Sequence, residues 1–246
     1  MSHLQIRLLP YTRADGATNM AADETLVRTA TTGFASLRFY GWTTATLSLG
    51  YFQPAAVRLR DPRLAGLPFV RRPSGGATLV HHHELTYALA LPSGAPWQLG
   101  ESWLPKMHRI ITSALASLGL PGMIGAVGAA PIKHGDVLCF QQLTPGDLLS
   151  GGHKVVGSAQ RKHHQTLLQH GSILLARSEH TPDLPGIREL CGVELVTTAL
   201  QDSIVHAFER ATGWQVGVSE WSEREEILIG ELAVGKYGSA GWNEKR

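Results

Sequence analysis

Leu85, Tyr87, Leu89 and Leu91 carry large apolar side chains at alternate positions, with Thr86, Ala88 and Ala90 between them. A two-residue period belongs to a β-strand with one buried face, so the chain is committed to a sheet. Further strands are predicted over residues 36–42, 45–52, 68–72, 136–139, 154–158 and 167–175. Helices fall among them without a regular strand–helix–strand rhythm. Residues 19–30 read as one, with Asn19 as N-cap and Asp23 and Glu24 near the positive end of the dipole. Residues 103–118 read as another. Ser102 caps it, Pro105 sits in its first turn, Leu104, Met107, Ile111, Leu115 and Leu118 form a buried stripe, and Gly119 stops it. Two more begin at capping-box signals. Thr198-x-x-Gln201 opens one that buries Leu200, Ile204, Phe208 and Ala211, and Ser222-x-x-Glu225 opens one that buries Ile227 or Leu228 with Leu232. Such a mixture predicts an α+β fold rather than a doubly wound sheet.

At 246 residues, one domain over residues 1–246 is the expectation. Apolar content of 43% against 17% charged excludes a disordered chain, and a net charge of +2 argues against broad nucleic-acid binding. No run of apolar residues is long enough for a bilayer, and the first residues lack a secretory h-region, so a cytoplasmic protein is expected. Thiols stay reduced there, which makes Cys139 and Cys191 free cysteines rather than a disulfide.

Two segments carry candidate chemistry. VRRPSGGATLVHHHELTYALALP at residues 70–92 pairs Arg71 and Arg72, candidate anion donors, with the Ser74-Gly75-Gly76 turn, where the backbone can adopt positive φ and approach a ligand. CFQQLTPGDLLSGGHKVVGSAQ at residues 139–160 supplies Cys139 at the edge of a turn-rich loop and Lys154 after a Gly-Gly pair. A thiolate suits acyl transfer because it attacks a thioester readily and leaves again when an amine attacks. A nearby cation such as Lys154 would favour the thiolate and face the carbonyl oxygen as it becomes an oxyanion. Neither a P-loop nor a GxGxxG fingerprint is present. His81-His82-His83 and His163-His164 are poor metal ligands, because adjacent strand residues point to opposite faces; no metal site is expected. A single histidine, His81 or His170, remains a candidate to line a pocket.

In this order, MAADE, LRFYGW, LSLGYFQ, RRPSGGATLVHHHELTYALAL, CFQQLTPGDLLSGGHKVVGSAQ and LLQHGSILL resemble the lipoate/biotin protein ligase superfamily, and most closely its cysteine-dependent octanoyltransferases. The resemblance implies a biotin ligase-like catalytic domain, related to class II aminoacyl-tRNA synthetases, with a mixed sheet and flanking helices. It implies an acyl tunnel bordered by Arg72, Ser74, Gly75, Gly76 and His81 on one side. Gly157, Ser158, Ala159 and Gln160 border the other, with His170 and Gly171 nearby and Cys139 and Lys154 as the catalytic pair.

It further implies an octanoyl donor on acyl carrier protein and an acceptor lysine on a lipoyl-domain protein, either the glycine cleavage H protein or the E2 subunit of a 2-oxoacid dehydrogenase. No cofactor is implied. The competing branches are an ATP-dependent lipoate ligase, which would use ATP and Mg, and an amidotransferase working between lipoyl domains. The loop QQLTPGDLL and Ala77 depart from the usual transferase pattern, and the GRGRxGR-like loop of biotin ligases is absent.

Overall fold

The alternating run lies in the strand Glu84–Pro92, inside an eight-stranded mixed sheet. The computed structural model describes residues 4–97, 100–120, 125–126, 132–133, 137–163 and 165–246. Its first half comprises β1 (Gln5–Ala14), α1 (Gly16–Ala30), β2 (Ser36–Trp42), β3 (Thr46–Leu49), α2 (Pro62–Ala65), β4 (Phe69–Arg71), β5 (Leu79–His81), β6 (Glu84–Pro92) and α3 (Trp103–Ser117). The second comprises β7 (Gly125–Ala126), β8 (Ile132–Lys133), β9 (Gln142–Leu143), β10 (Leu148–Ser150), β11 (His153–His163), β12 (Thr166–Leu174), α4 (Ile187–Cys191), α5 (Thr197–Thr212), β13 (Gln215–Val218), α6 (Glu223–Leu232) and α7 (Ala240–Asn243).

The large sheet runs β13-β1-β2-β6-β12-β11-β10-β7. β1 is parallel to β13 and β2, and the other pairs are antiparallel. A smaller sheet, β4-β3-β5, carries the segment that leads into the glycine turn. Among the described residues no helix is long and apolar enough to cross a membrane.

β6 is buried on both faces, not one. Leu85, Tyr87, Leu89 and Leu91 pack with Met107, Ile111 and Leu115 of α3 and Leu200, Ile204 and Phe208 of α5. Ala88 and Ala90, which read as the open face, pack instead with Met20 and Leu26 of α1 and Leu232 of α6. Small side chains there let α1 approach the sheet, so size rather than polarity separates the two faces. Each large side chain buried this way contributes roughly 1.5–3 kcal/mol.

The starts of α1 and α5 differ from expectation, and the cap expected at α3 makes no side-chain bond. Asp15, not Asn19, caps α1 by accepting from Thr18 N–H at 2.8 Å. Asn19 is buried within the helix and donates to the carbonyls of Ala14 and Gly41. Asp23 does not serve the dipole; it is buried against Arg38 at 3.0 Å and accepts from Tyr40. Ser102 sits at the start of α3 without a side-chain cap bond. α5 begins at Thr197, so the Thr198 box does not form, and Ala207 is buried in place of Ala211. The Ser222–Glu225 box does form, and Leu228, not Ile227, turns towards the core with Leu232. The strand expected over residues 136–139 is not one. Residue 136 lies outside the described residues, Leu138 makes an isolated bridge to Thr78, and Cys139 opens a single 3-10 turn, Cys139–Gln141.

Candidate active site

The glycine turn is held from behind by arginines. Arg72 donates to the Gly75 carbonyl through Nε at 3.1 Å and Nη2 at 2.8 Å, and to the Ala77 carbonyl at 2.6 Å. Its Nη1 reaches the Ser48 carbonyl at 2.8 Å and hydroxyl at 3.0 Å. Arg71 is spent similarly on the carbonyls of Gly50, Tyr51, Gln53 and Asn243. Neither guanidinium has its donors free for an anion, so the expected anion-donor role gives way to one of shaping the loop. Burial pushes the Arg72 guanidinium below its ordinary value, while charge on Cys139 acts in the opposite sense. The turn fits closely. Gly76 has φ +93°, and a Cβ on Gly50 would stand 1.9 Å from the Gly76 carbonyl oxygen.

Three residues on from Gly75, Thr78 bonds the second segment. Its N–H donates to Val137 O at 3.1 Å and its carbonyl accepts from Cys139 N–H at 2.6 Å. Lys154 enters from β11, with Nζ 3.8 Å from Cys139 Sγ, 3.5 Å from Cys139 O and 3.2 Å from Gln142 O. The structure therefore brings together the two residues expected to share an acyl carbonyl. Gly157 makes room for the lysine, since a Cβ there would lie 2.4 Å from its Cε.

Lys154 is buried with a counter-ion absent from the sequence reading: Asp147 Oδ2 at 2.8 Å, both side chains under 5% exposed. The same oxygen accepts from Thr144 N–H at 2.8 Å and Oγ–H at 2.9 Å. A buried ion pair is tolerable only when such bonds satisfy the remaining lone pairs.

Cys139 and Lys154 border a cavity of about 350 Å³, within the range of small-ligand sites. Arg72, Gly75, Gly76 and His81 line it from one side. Gly157, Ser158, Ala159 and Gln160 of β11, with His170 and Gly171 of β12, line it from the other. Ser74 is buried and does not itself line the cavity; its hydroxyl meets His170 Nε2 at 2.5 Å, and His170 Nδ1 meets Asp23 at 3.0 Å.

An acyl tunnel calls for mostly apolar walls, yet the lining is rich in polar residues. Their polar atoms are turned onto one another. His81 bonds Glu84 through Nδ1 and Ser48 through Nε2, both at 2.7 Å, and stacks on Trp42 at 3.8 Å. Thr86 and Ser172 donate to the same Glu84 oxygen. Burial pushes the His81 imidazole below its ordinary value despite Glu84. Groups satisfied in this way can present C–H surface to an acyl chain without a stranded donor.

His82 and His83 stack on each other at 3.7 Å, and His82 bonds Ser178; neither lines this cavity. His164 lies outside the described residues. Among the described residues no group of three or more His, Cys, Asp and Glu side chains converges as a metal site. Cys191 is a free cysteine near Ser150, as Cys139 is beside Lys154.

The profile of the lipoyl protein ligase A/B catalytic domain matches residues 15–181. The octanoyltransferase LipM of Carboxydothermus hydrogenoformans is 39% identical over 96% of this chain and 97% of its own. That of Symbiobacterium thermophilum is 32% identical over 98% of both. Among solved structures, a lipoate-protein ligase A bound with ATP superposes with a TM-score of 0.80 at 21% identity, covering 98% of this chain and 99% of its own. A bi-partite lipoate protein ligase from Thermoplasma acidophilum gives 0.75 at 20%, covering 99% and 97%. Those two likenesses establish the mixed-sheet fold with flanking helices that lipoate-protein ligases share. With the profile covering more than half its length and relatives matching nearly all of it, the chain belongs to the lipoyl protein ligase A/B catalytic-domain family.

Proposed function

We propose that the protein is an octanoyltransferase that carries an octanoyl group on Cys139 and delivers it to a lysine of a lipoyl-domain protein in lipoate biosynthesis. The observation that carries this reading is the placement of Cys139 Sγ 3.8 Å from a buried lysine on one cavity. Relatives named octanoyltransferase, matching over nearly the whole chain, support it.

In the first half-reaction the Cys139 thiolate attacks the thioester carbonyl carbon of octanoyl-acyl carrier protein. A C–S bond forms, the carbonyl oxygen becomes an oxyanion facing Lys154, and collapse expels the carrier thiolate. In the second, the neutral amine of the acceptor lysine attacks the octanoyl-Cys139 carbonyl. A C–N bond forms, the C–S bond breaks, Cys139 leaves as thiolate, and the amine's proton passes to solvent. The Cys139 N–H is committed to Thr78; in this scheme the Lys154 ammonium meets the oxyanion, exchanging its long contacts to Cys139 O at 3.5 Å and Sγ at 3.8 Å for the carbonyl oxygen. A thioester is already activated, so the scheme calls for no nucleotide.

The test is intact mass after mixing the protein with octanoyl-acyl carrier protein and no acceptor. One octanoyl group should be gained, hydroxylamine should remove it, and Cys139→Ala should not acquire it while Cys191→Ala does. Modification of a lipoyl domain only with lipoate and ATP, and equally by Cys139→Ala, would overturn the reading in favour of a ligase.

A further inference from the structure

His108 is a buried imidazole on α3 that the scheme above does not use, and for the neutral ring its hydrogen bonds have only one consistent direction. Nδ1 faces the Gly146 carbonyl, an acceptor only, so the proton of the neutral ring is on Nδ1. Nε2 is then an acceptor and takes the Ser158 hydroxyl proton at 2.6 Å. Ser158 in turn accepts from Tyr87 OH at 2.7 Å, Tyr87 from Gln169 Nε2 at 2.8 Å, and the Gln169 carbonyl from Gln160 Nε2 at 2.7 Å. Every member donates once along a single line that runs from the cavity wall to Gly146.

Gly146 is part of the turn that fixes Asp147, with Asp147 N–H donating to Thr144 O at 3.0 Å and Thr144 donating back to the Asp147 carboxylate. Gly146 takes φ +97°, and Asp147 is the counter-ion of Lys154. We infer that His108 is a positioning residue for acyl transfer: from α3 it anchors the 144–147 turn through the Gly146 carbonyl, with Ser158 orienting the ring, and so sets Asp147, and through Asp147 the Lys154 ammonium, beside Cys139. Burial holds the ring below its ordinary value, consistent with the neutral form that this direction requires. The inference rests on the Cys139–Lys154 pairing in the proposed function.

Two amide substitutions separate the ends of the bridge. In His108→Asn the amide nitrogen can stand where Nδ1 stood and keep the bond to Gly146. In His108→Gln the longer amide reaches Ser158 and gives up Gly146, and His108→Leu gives up both. Two readouts are taken. One is the single-turnover rate of octanoyl-Cys139 formation. The other is the pH profile of Cys139 alkylation by iodoacetamide in a Cys191→Ala background, which needs no acyl donor. The charged groups that bear on that profile are Lys154, Asp147 and Arg72.

His108→Gln and His108→Leu are expected to lose about 10- to 100-fold in acylation rate, the scale of an ångström-sized misplacement, and to shift alkylation to higher pH. His108→Asn should stay within about threefold of wild type on that scale. In an Asp147→Asn background, His108→Leu should add little, because its route is already cut. An unchanged alkylation profile in His108→Leu, His108→Asn as slow as His108→Leu, or full additivity with Asp147→Asn would overturn the inference. Failure of the wild type to take octanoate would instead overturn the proposed function, with the alkylation arm still readable.

Discussion

The N–H of Cys139 bonds the carbonyl of Thr78 at 2.6 Å, so Cys139 hangs from the residue just ahead of β5. Lys154 belongs to a different framework, β11 of the large sheet, where it pairs with Leu149 of β10. The thiol and the ammonium are thus brought together by two sheets, and each can be perturbed separately.

Removing the ammonium tests the oxyanion role. Lys154→Met should slow both half-reactions by about 10²–10³, equivalent to about 2.7–4 kcal/mol for one lost oxyanion donor. The same variant strands Asp147 as a buried carboxylate, which should cost about 3–5 kcal/mol of stability, and Lys154→Met/Asp147→Asn should recover most of that without recovering rate. Urea denaturation and single-turnover acylation, measured together, separate the two effects. Recovery of rate in the double variant would speak against the oxyanion role.

Arg72 gives a different signature. Its guanidinium makes five contacts to loop and strand oxygens, and a lysine ammonium has three donors in another geometry. Arg72→Lys should therefore leave at least one buried carbonyl unpaired, at about 1–3 kcal/mol each. Acyl-enzyme formation should fall with it, because the Gly75–Gly76 wall loses its anchor. A variant with native stability and a native rate would show that the charge alone matters at this position.

Gly50 and Gly66 form a matched pair for mutation to alanine. At Gly50 the new methyl would lie 1.9 Å from the Gly76 carbonyl oxygen, so backbone must move, whereas at Gly66 nothing lies within 4 Å. Gly50→Ala is expected to lose about 1–3 kcal/mol or more and to slow acylation, with Gly66→Ala close to wild type. Equal denaturation midpoints for the two variants would contradict the close fit of the turn.

The histidines predict an acid-side loss of stability. Burial lowers the His81 imidazole below the ordinary value of 6.5, and His108 shifts in the same direction. Between the lowered value and 6.5 the unfolded chain binds more protons than the folded one, so stability rises with pH through that window. The contribution is present above 6.5 and is lost as pH falls towards the folded value. Unfolding free energies measured from pH 7.5 to pH 5 should decline, and His81→Gln should flatten the slope. An unchanged slope would show that His81 is not protonated on unfolding.

Much of the site could be read from residue order, because glycine turns and the Cys139–Lys154 spacing are local patterns. Asp147 could not. Within TPGD it looks like an ordinary turn residue, and only the fold turns it towards a lysine seven positions on. Thr144-x-x-Asp147 was the available signal, since a threonine that can bond an aspartate three residues later marks a fixed turn. His108 was hidden because it follows Met107 in an apolar stripe, and its partners, Gly146 and Ser158, are 38 and 50 positions away. The pairing of Asp23 with Arg38 and His170 is equally non-local. The single-face reading of β6 failed because Ala88 and Ala90 look neutral in sequence, although small size is what a closely packed helix requires. Helix starts were misplaced at α1, where Asp15 four residues before Asn19 carries the cap, and at α5, where Val196 offers no capping side chain, whereas the α3 start after Ser102 was read correctly.

The 3-10 turn that carries Cys139 stands outside the large sheet, while Lys154 is held by β11 and by its ion pair with Asp147. In the proposed scheme the covalent step is therefore a detachable part. Replace the cysteine by an inert residue, and what remains is a receptacle for an acyl chain with a cation at its carbonyl end. Such a receptacle would bind and polarise a carbonyl without capturing it. Selection can then exchange the means by which the acyl group is activated while leaving the recognition of that group, and the core beneath it, almost untouched.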